Sequence, residues 1–149
     1  AADVDDKLLH FNLDIIGNIE FLPSHPYRES KEDINEYFDD IIGVTLHQDA
    51  PLEKILFWVS DRSKHYVDNK PIHDSQIRYK SAKEQTLRAE YPMLGGGFFF
   101  LIECRENYEL IRELCSFGSE LLVLSPQNIQ DAVFERINSM ATKYNNLRR

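Results

Sequence analysis

The chain has 149 residues, of which 42% are apolar, and a formal net charge of -8 from 17 basic and 25 acidic side chains. This length and apolar fraction allow one domain of ordinary size with some appended structure. The acidic balance argues against direct binding of duplex DNA by this chain alone, because DNA-binding surfaces neutralise phosphates with clustered basic residues.

The composition also limits location and chemistry. Cys104 and Cys115 fit no spacing of a zinc or redox motif, and we interpret both as small core thiols. The sequence shows no signal peptide and no long apolar run. We therefore expect a cytoplasmic protein without a membrane segment, a metal or a cofactor.

Two short strands are predicted near the beginning of the chain. Residues 8–13 place Leu9, Phe11 and Leu13 on one face, and residues 18–22 follow after a turn. Two strands alone are marginal in water. We expect them to pair with another chain, to pack on the rest of this chain or to be mobile, and not to close a barrel.

A linker with one helix follows over residues 23–51. Ser30 is a predicted N-cap, and Asp33 supplies the acid of a capping box. The helix should run to Ile42, and Gly43 is in position to end it.

From residue 52 onward, strand and helix patterns alternate. Strands are predicted over residues 52–59, 75–80, 98–104 and 121–124, and helices over 61–69, 107–118 and the segment after Ser125-Pro126. Residues 81–94 are charged and weakly patterned, and we predict an extra strand or an excursion there. The two most apolar strands are the first and the third, which are central in the split βαβ topology. The sequence thus predicts an α+β protein with a ferredoxin-like βαββαβ domain and a C-terminal helix.

The predicted sheet is apolar on both faces. Ile55 and Phe57 point one way, whereas Leu56 and Trp58 point the other way. One face should pack on the helices. The second is either an interface or ligand surface, or it is covered by the helix that begins at Ser30.

No catalytic arrangement emerges from the sequence. No two of the five histidines have the i, i+4 spacing of a helical metal site. Gly95-Gly96-Gly97 precede a strand, whereas a phosphate loop opens a helix, so we interpret them as a flexible turn or bulge. We expect that the chain is not an enzyme.

Four groups of segments carry a resemblance to a known family. They are NYELIREL, SFG and LLVLSP within residues 107–126; HDSQ at residues 73–76; EYF to IGV within residues 36–44; and LHFNLDII at residues 9–16. The first two groups resemble the C-terminal extension that follows the WYL domain in bacterial transcription regulators. The third resembles the connection between the two domains, and the fourth resembles the end of the WYL domain, with Ile15 where that family has arginine.

The resemblance implies a division into three parts. Residues 1–22 would be the last two strands of a truncated SH3-like or Sm-like barrel, residues 23–51 a linker with a helix, and residues 52–149 the ferredoxin-like extension. It also implies a non-catalytic, effector-sensing and dimerising part of a DNA-binding regulator. The chain would form a homodimer, contact DNA only through an N-terminal winged helix, and respond to a small molecule or single-stranded nucleic acid.

Two alternatives remain open at this point. One is a small-molecule-binding regulatory domain of a metabolic enzyme. The other is a ferredoxin-like hydrolase of the acylphosphatase kind, for which Arg62 is the one candidate anion-binding residue, without the glycines that such a loop requires.

A candidate ligand site consists of His73, Gln76, Arg78 and Tyr79, on or just before the polar strand. Arg78 can offer a planar fork to phosphate or carboxylate, and Tyr79 can offer a stacking face. The alternative is that Ser75 and Gln76 cap a turn, while Arg78 is a solvated charge on an edge strand.

Overall fold

A computed structural model describes residues 11, 13–27, 29, 33–47 and 49–148. The chain divides into two compact units, Ala1–Lys31 and Glu32–Arg149. The described part of the first unit contains a single 3-10 turn, Leu13–Ile15. The strand predicted over residues 18–22 is wrong, since these residues have no regular structure, and most of the strand predicted over residues 8–13 lies outside the described residues. An isolated strand pair has too few partners to be stable.

The second unit holds the α-helices and β-strands of the described residues. Its helices in the described residues are α1 (Ile34–Tyr37), α2 (Lys64–Asn69), α3 (Ser81–Glu90), α4 (Tyr108–Ser116) and α5 (Gln127–Leu147). Its strands are β1 (Leu52–Val59), β2 (Ile77–Arg78), β3 (Phe98–Arg105) and β4 (Leu121–Ser125). Short 3-10 turns occur at Pro92–Leu94 and Gly118–Glu120.

The four strands form one antiparallel sheet in the order β2-β3-β1-β4. This order is that of a ferredoxin-like domain, with β1 and β3 central, and it confirms the predicted fold class. β1 and β3 pair over their full length, from Leu52 opposite Arg105 to Val59 opposite Phe98. β2 is shorter than the strand predicted over residues 75–80, since only Ile77 and Arg78 pair with β3.

The main core lies between one face of the sheet and the helices α2, α4 and α5. Phe57 and Phe100, from the two central strands, are fully buried and stacked with ring centroids 5.6 Å apart. Stacked aromatic pairs contribute about 0.5–1.5 kcal/mol beyond the burial of their area. The helices contribute the following side chains: Val67, Leu110, Ile111, Leu114, Ile129 and Val133.

The second face of the sheet is partly covered by α3, in the segment between β2 and β3. Leu87 of α3 packs on Trp58 and Phe99, and all three are buried. Residues 81–94 thus form an excursion between β2 and β3, which was one of the two alternatives predicted, and the other alternative, an extra strand, was wrong. So was the longer linking helix, because α1 spans only Ile34–Tyr37 and turns follow it.

Candidate functional site

The turn before β2 is held to β3 by its own polar side chains. His73 Nδ1 lies 2.7 Å from Ser75 Oγ. Ser75 Oγ donates to the carbonyl oxygen of Glu103 at 3.1 Å and accepts from its backbone N–H at 2.8 Å. The predicted ligand residue His73 thus contributes to a turn that is fixed on the sheet.

Gln76 joins this turn to helix α2. Its Nε2 donates to the carbonyl of Val67 at 2.9 Å, and its Oε1 accepts from the N–H of Ile72 at 3.0 Å. Both ends of the amide are occupied inside the protein. This geometry agrees with the alternative interpretation, in which Ser75 and Gln76 stabilise a turn.

Arg78 lies on the face of the sheet that packs against α2, α4 and α5. Its guanidinium stacks 3.2 Å from the centroid of the Phe98 ring and forms an ion pair of 3.0 Å with Asp68. Lys64 Nζ is also 4.8 Å from that ring, and the His65 ring meets it edge-on. Each of these cations has a carboxylate partner, since Arg78 pairs with Asp68 and Lys64 pairs with Asp61.

Tyr79 points to the opposite face. It packs against the buried cluster of Trp58, Leu87 and Phe99, and Lys83 Nζ lies 5.7 Å from its ring centroid. The four residues of the predicted site therefore face three different surroundings and do not line one cavity. Their role in ligand binding stays a prediction.

The glycine run before β3 is tied down by three side chains. Trp58 Nε1 donates to the carbonyl of Gly96 at 2.7 Å. Asp61 accepts from the N–H of Gly97 at 3.0 Å, and Arg88 donates to the carbonyls on either side of Gly96. A hydrogen bond from Lys64, and then the one from Gly97, lower the pKa of Asp61. The run forms a turn, as predicted, but these hydrogen bonds anchor it, whereas the prediction was of a flexible turn.

A connecting segment, defined as residues 40–47, 49 and 50, is bound to the domain mainly by Asn107. This buried side chain accepts from the N–H of Leu110 at 2.7 Å, and so caps α4. Its Nδ2 donates to the carbonyls of Ile42 at 2.8 Å and Thr45 at 2.9 Å. Asparagine is a preferred N-cap residue, but the contacts of Asn107 with residues more than 60 positions earlier have no local sequence signal.

Two more residues bind the connecting segment. Glu109 accepts from Thr45 Oγ1 at 2.8 Å. Arg105 donates from its backbone to the carbonyl of Asp40 at 2.7 Å and from its guanidinium to the carbonyl of Ala50 at 2.6 Å. A cavity of about 430 Å³ lies beside this segment, lined by His47, Ala50, Pro51, Glu106, Asn107, Tyr108, Ile111 and Arg136.

An apolar surface extends along α5 beyond the core. Ile129 and Val133 are buried, but the stripe continues into exposed residues at helical spacing. These are Phe134, Ile137, Met140, Tyr144 and Leu147. A groove of about 300 Å³ lies where this stripe begins, between α5 and the edge strand β4. We call Phe134, Ile137, Met140, Tyr144 and Leu147 the α5 stripe.

The thiols and carboxylates show no metal-binding arrangement within the described residues. Burial, with the charges of Asp40 and Glu53, raises the pKa of the Cys104 thiol to about 12. Cys115 is partly buried, and both thiols are free. None of the helices in the described ranges has the length and apolar composition needed to cross a bilayer.

Comparison with known protein families identifies a match for most of the second unit. Residues 51–141, more than half of the chain, match the sequence model of the WCX domain. This domain is the C-terminal part of WYL-type regulators. No curated protein matches the chain. The matched range contains the whole sheet and helices α2 to α4, with most of α5.

Proposed function

Because the chain belongs to the WCX domain family, we propose that it is the regulatory C-terminal part of a WYL-type transcription regulator. In this proposal it holds two copies of a cytoplasmic regulator together and responds to an effector, and it catalyses no reaction. Duplex DNA would be bound by an N-terminal winged helix. The net charge of -8 supports this division, because an acidic domain is repelled by phosphates.

The observation that supports dimerisation best is the α5 stripe. Helix α5 has 21 residues and is about 31 Å long at roughly 1.5 Å per residue. Its first half packs on the domain, but Phe134 is 66% exposed and Met140 is 55% exposed. A contiguous exposed apolar patch of this kind marks an interaction surface.

The stripe is complementary to itself about Ile137. If two copies of α5 pack antiparallel about a two-fold axis at this residue, positions at equal distances on either side face each other. Phe134 of one copy then meets Met140 of the other, and Gln130 meets Tyr144. Apolar groups meet apolar groups, and the amide meets a hydroxyl. A second copy of the chain is therefore the partner that we propose.

A charge-pairing experiment tests this arrangement. In Ile137→Lys and in Ile137→Glu, two like charges would face each other across the axis, so each variant alone should be monomeric by light scattering. An equimolar mixture should form a heterodimer, because opposite charges then meet. Helix content and thermal unfolding of each variant should stay near those of the unmodified chain, since Ile137 is 39% exposed.

Met93→Lys is the matched control, because Met93 is 75% exposed and lies on the 3-10 turn after α3. This variant should keep the oligomeric state of the unmodified chain. A monomeric unmodified chain, or single variants that still dimerise, would contradict the proposed interface.

The regulator assignment has a separate test in the coding sequence upstream of this chain. A winged-helix domain and a WYL domain encoded there would support the proposal. A catalytic domain there would contradict it and favour the regulatory domain of a metabolic enzyme.

A further inference from the structure

The cavity between the connecting segment, α4 and α5 is lined by two charged side chains of opposite sign. Arg136 is half-buried, and its guanidinium lies 4.8 Å from the centroid of the Tyr108 ring, with one nitrogen 3.3 Å from the Tyr108 hydroxyl. Among the described residues no carboxylate pairs with Arg136, and no cation pairs with Glu106. Both line the same cavity.

Removing a charge from water is costly unless the charge is paired, and both side chains are partly removed from water. Arg136 and Glu106 form no ion pair with each other, although both line the cavity. A molecule that carries both a carboxylate and an ammonium group could reach both. The guanidinium is suited to a carboxylate, because it presents parallel N–H donors.

The rest of the cavity is suited to an apolar group. Ile111 is buried, and Ala50 and Pro51 form the wall on the side of the connecting segment. The Tyr108 ring is 59% exposed and offers a flat contact. A volume of about 430 Å³ falls in the range of small-molecule sites. The exposed imidazole of His47 adds one further polar group at the rim.

We propose that this cavity binds a small zwitterion, an α-amino acid with an apolar side chain, with its carboxylate on Arg136 and its ammonium group on Glu106. The inference rests on the proposed function and gives the effector a chemical class. Binding would join the connecting segment to α4 and α5 through one ligand. The effector would thereby act on the segment that leads into the domain.

The first test measures binding of leucine to the 149-residue chain by isothermal titration calorimetry. Isopentylamine lacks the carboxylate of leucine, and isocaproate lacks its ammonium group. We expect leucine to bind about tenfold or more tightly than either compound. Isopentylamine loses the charged hydrogen bond to Arg136, and isocaproate loses the one to Glu106. Absence of leucine binding at millimolar concentration would overturn the proposal, as would isocaproate binding as tightly as leucine.

The second test assigns each charge to its group. Arg136→Gln should bind leucine no better than isopentylamine, and Glu106→Gln should bind leucine no better than isocaproate. Matched controls are Arg112→Gln on α4 and Glu135→Gln on α5, which alter exposed charges outside the cavity lining and should leave the affinity unchanged. Unchanged leucine affinity in both cavity variants would overturn the proposal.

Light scattering of the same samples separates this inference from the proposed function. A chain that dimerises through the α5 stripe but binds no leucine would contradict the cavity assignment alone. A monomeric chain that binds leucine with the expected selectivity would contradict the dimer alone.

Discussion

Asn107 is the residue whose single side chain serves two parts of the fold. Its oxygen caps α4, and its nitrogen binds two carbonyls of the connecting segment. Asn107→Ala should lower the free energy of unfolding by about 2–4 kcal/mol, because a cap and the partners of buried acceptors are lost together. Urea unfolding followed by circular dichroism measures this change.

Asn107→Asp separates the two roles. The aspartate can still accept from the N–H of Leu110, but it cannot donate to Ile42 and Thr45. We expect α4 to stay intact, while amide exchange in the connecting segment becomes faster. Equal exchange rates in the two proteins would show that the segment is held by other contacts.

Gly97 has no room for a side chain. A Cβ there would lie 2.2 Å from the carbonyl oxygen of Val59 and 2.7 Å from Trp58 Nε1, and the backbone φ is +97°. Gly97→Ala should cost about 2–4 kcal/mol of stability, through strain and displacement of the strand.

Gly95→Ala is the natural comparison for Gly97→Ala. Gly95 also has a positive φ, +65°, but a Cβ added there would have no other atom within 4 Å. Gly95→Ala should therefore lose only the backbone preference of glycine for this conformation, about 1–3 kcal/mol. If the two variants unfold at the same urea concentration, the close approach at Gly97 has no energetic consequence.

At the scale of elements, α4 and β4 contribute buried aliphatic side chains to one core. Ile111→Ala and Leu121→Ala should each destabilise the protein by about 2–5 kcal/mol, since each truncation leaves a cavity. Leu122→Ala on the same strand should cost much less, because Leu122 is 40% exposed. Thermal or urea unfolding measures the stability of the three variants. If neither Ile111→Ala nor Leu121→Ala changes the free energy of unfolding, the assignment of these residues to the core is wrong.

The elements that the sequence predicted well are those with a strong apolar pattern. β1 and β3 are long and apolar on both faces, so both their positions and their central place in the sheet were predicted. Helix α3 was missed because Leu87 is its one buried residue, and ten mostly polar residues give little helical periodicity. Strand pairing near residues 18–22 failed because pairing depends on partners that local sequence does not specify.

The candidate site was harder to predict than the fold. Grouping His73, Gln76, Arg78 and Tyr79 relied on their closeness in sequence, but neighbours on a strand point to opposite faces. The structure turns Arg78 to Phe98 and Tyr79 to Trp58. Glu106 and Arg136 line one cavity only because α4 and α5 pack together, and that juxtaposition has no signature in either segment.

At the scale of the whole molecule, acid should loosen the connecting segment. Burial opposes ionisation of Glu109, but the hydrogen bond from Thr45, with nearby backbone N–H groups, outweighs it and lowers the pKa of Glu109. The stabilisation that follows is complete above the ordinary carboxyl pKa of 4.5 and disappears as the pH falls through the lowered value.

Glu109→Gln should therefore reduce the dependence of unfolding free energy on pH below about pH 4.5. Urea titrations at several acidic pH values provide the measurement. Parallel curves for Glu109→Gln and the unmodified chain would contradict a contribution from this carboxylate.

The burial of Trp58 has a consequence for spectroscopy. It is the sole tryptophan of the chain, and it lies beneath α3 with its indole N–H on the Gly96 carbonyl. Its fluorescence therefore reports on the cover that α3 provides and not on the α2–α4–α5 core. Because α3 buries one residue, it should detach at lower denaturant concentration than the core unfolds. A red shift of emission that precedes the loss of circular dichroism would record that detachment in the unlabelled protein.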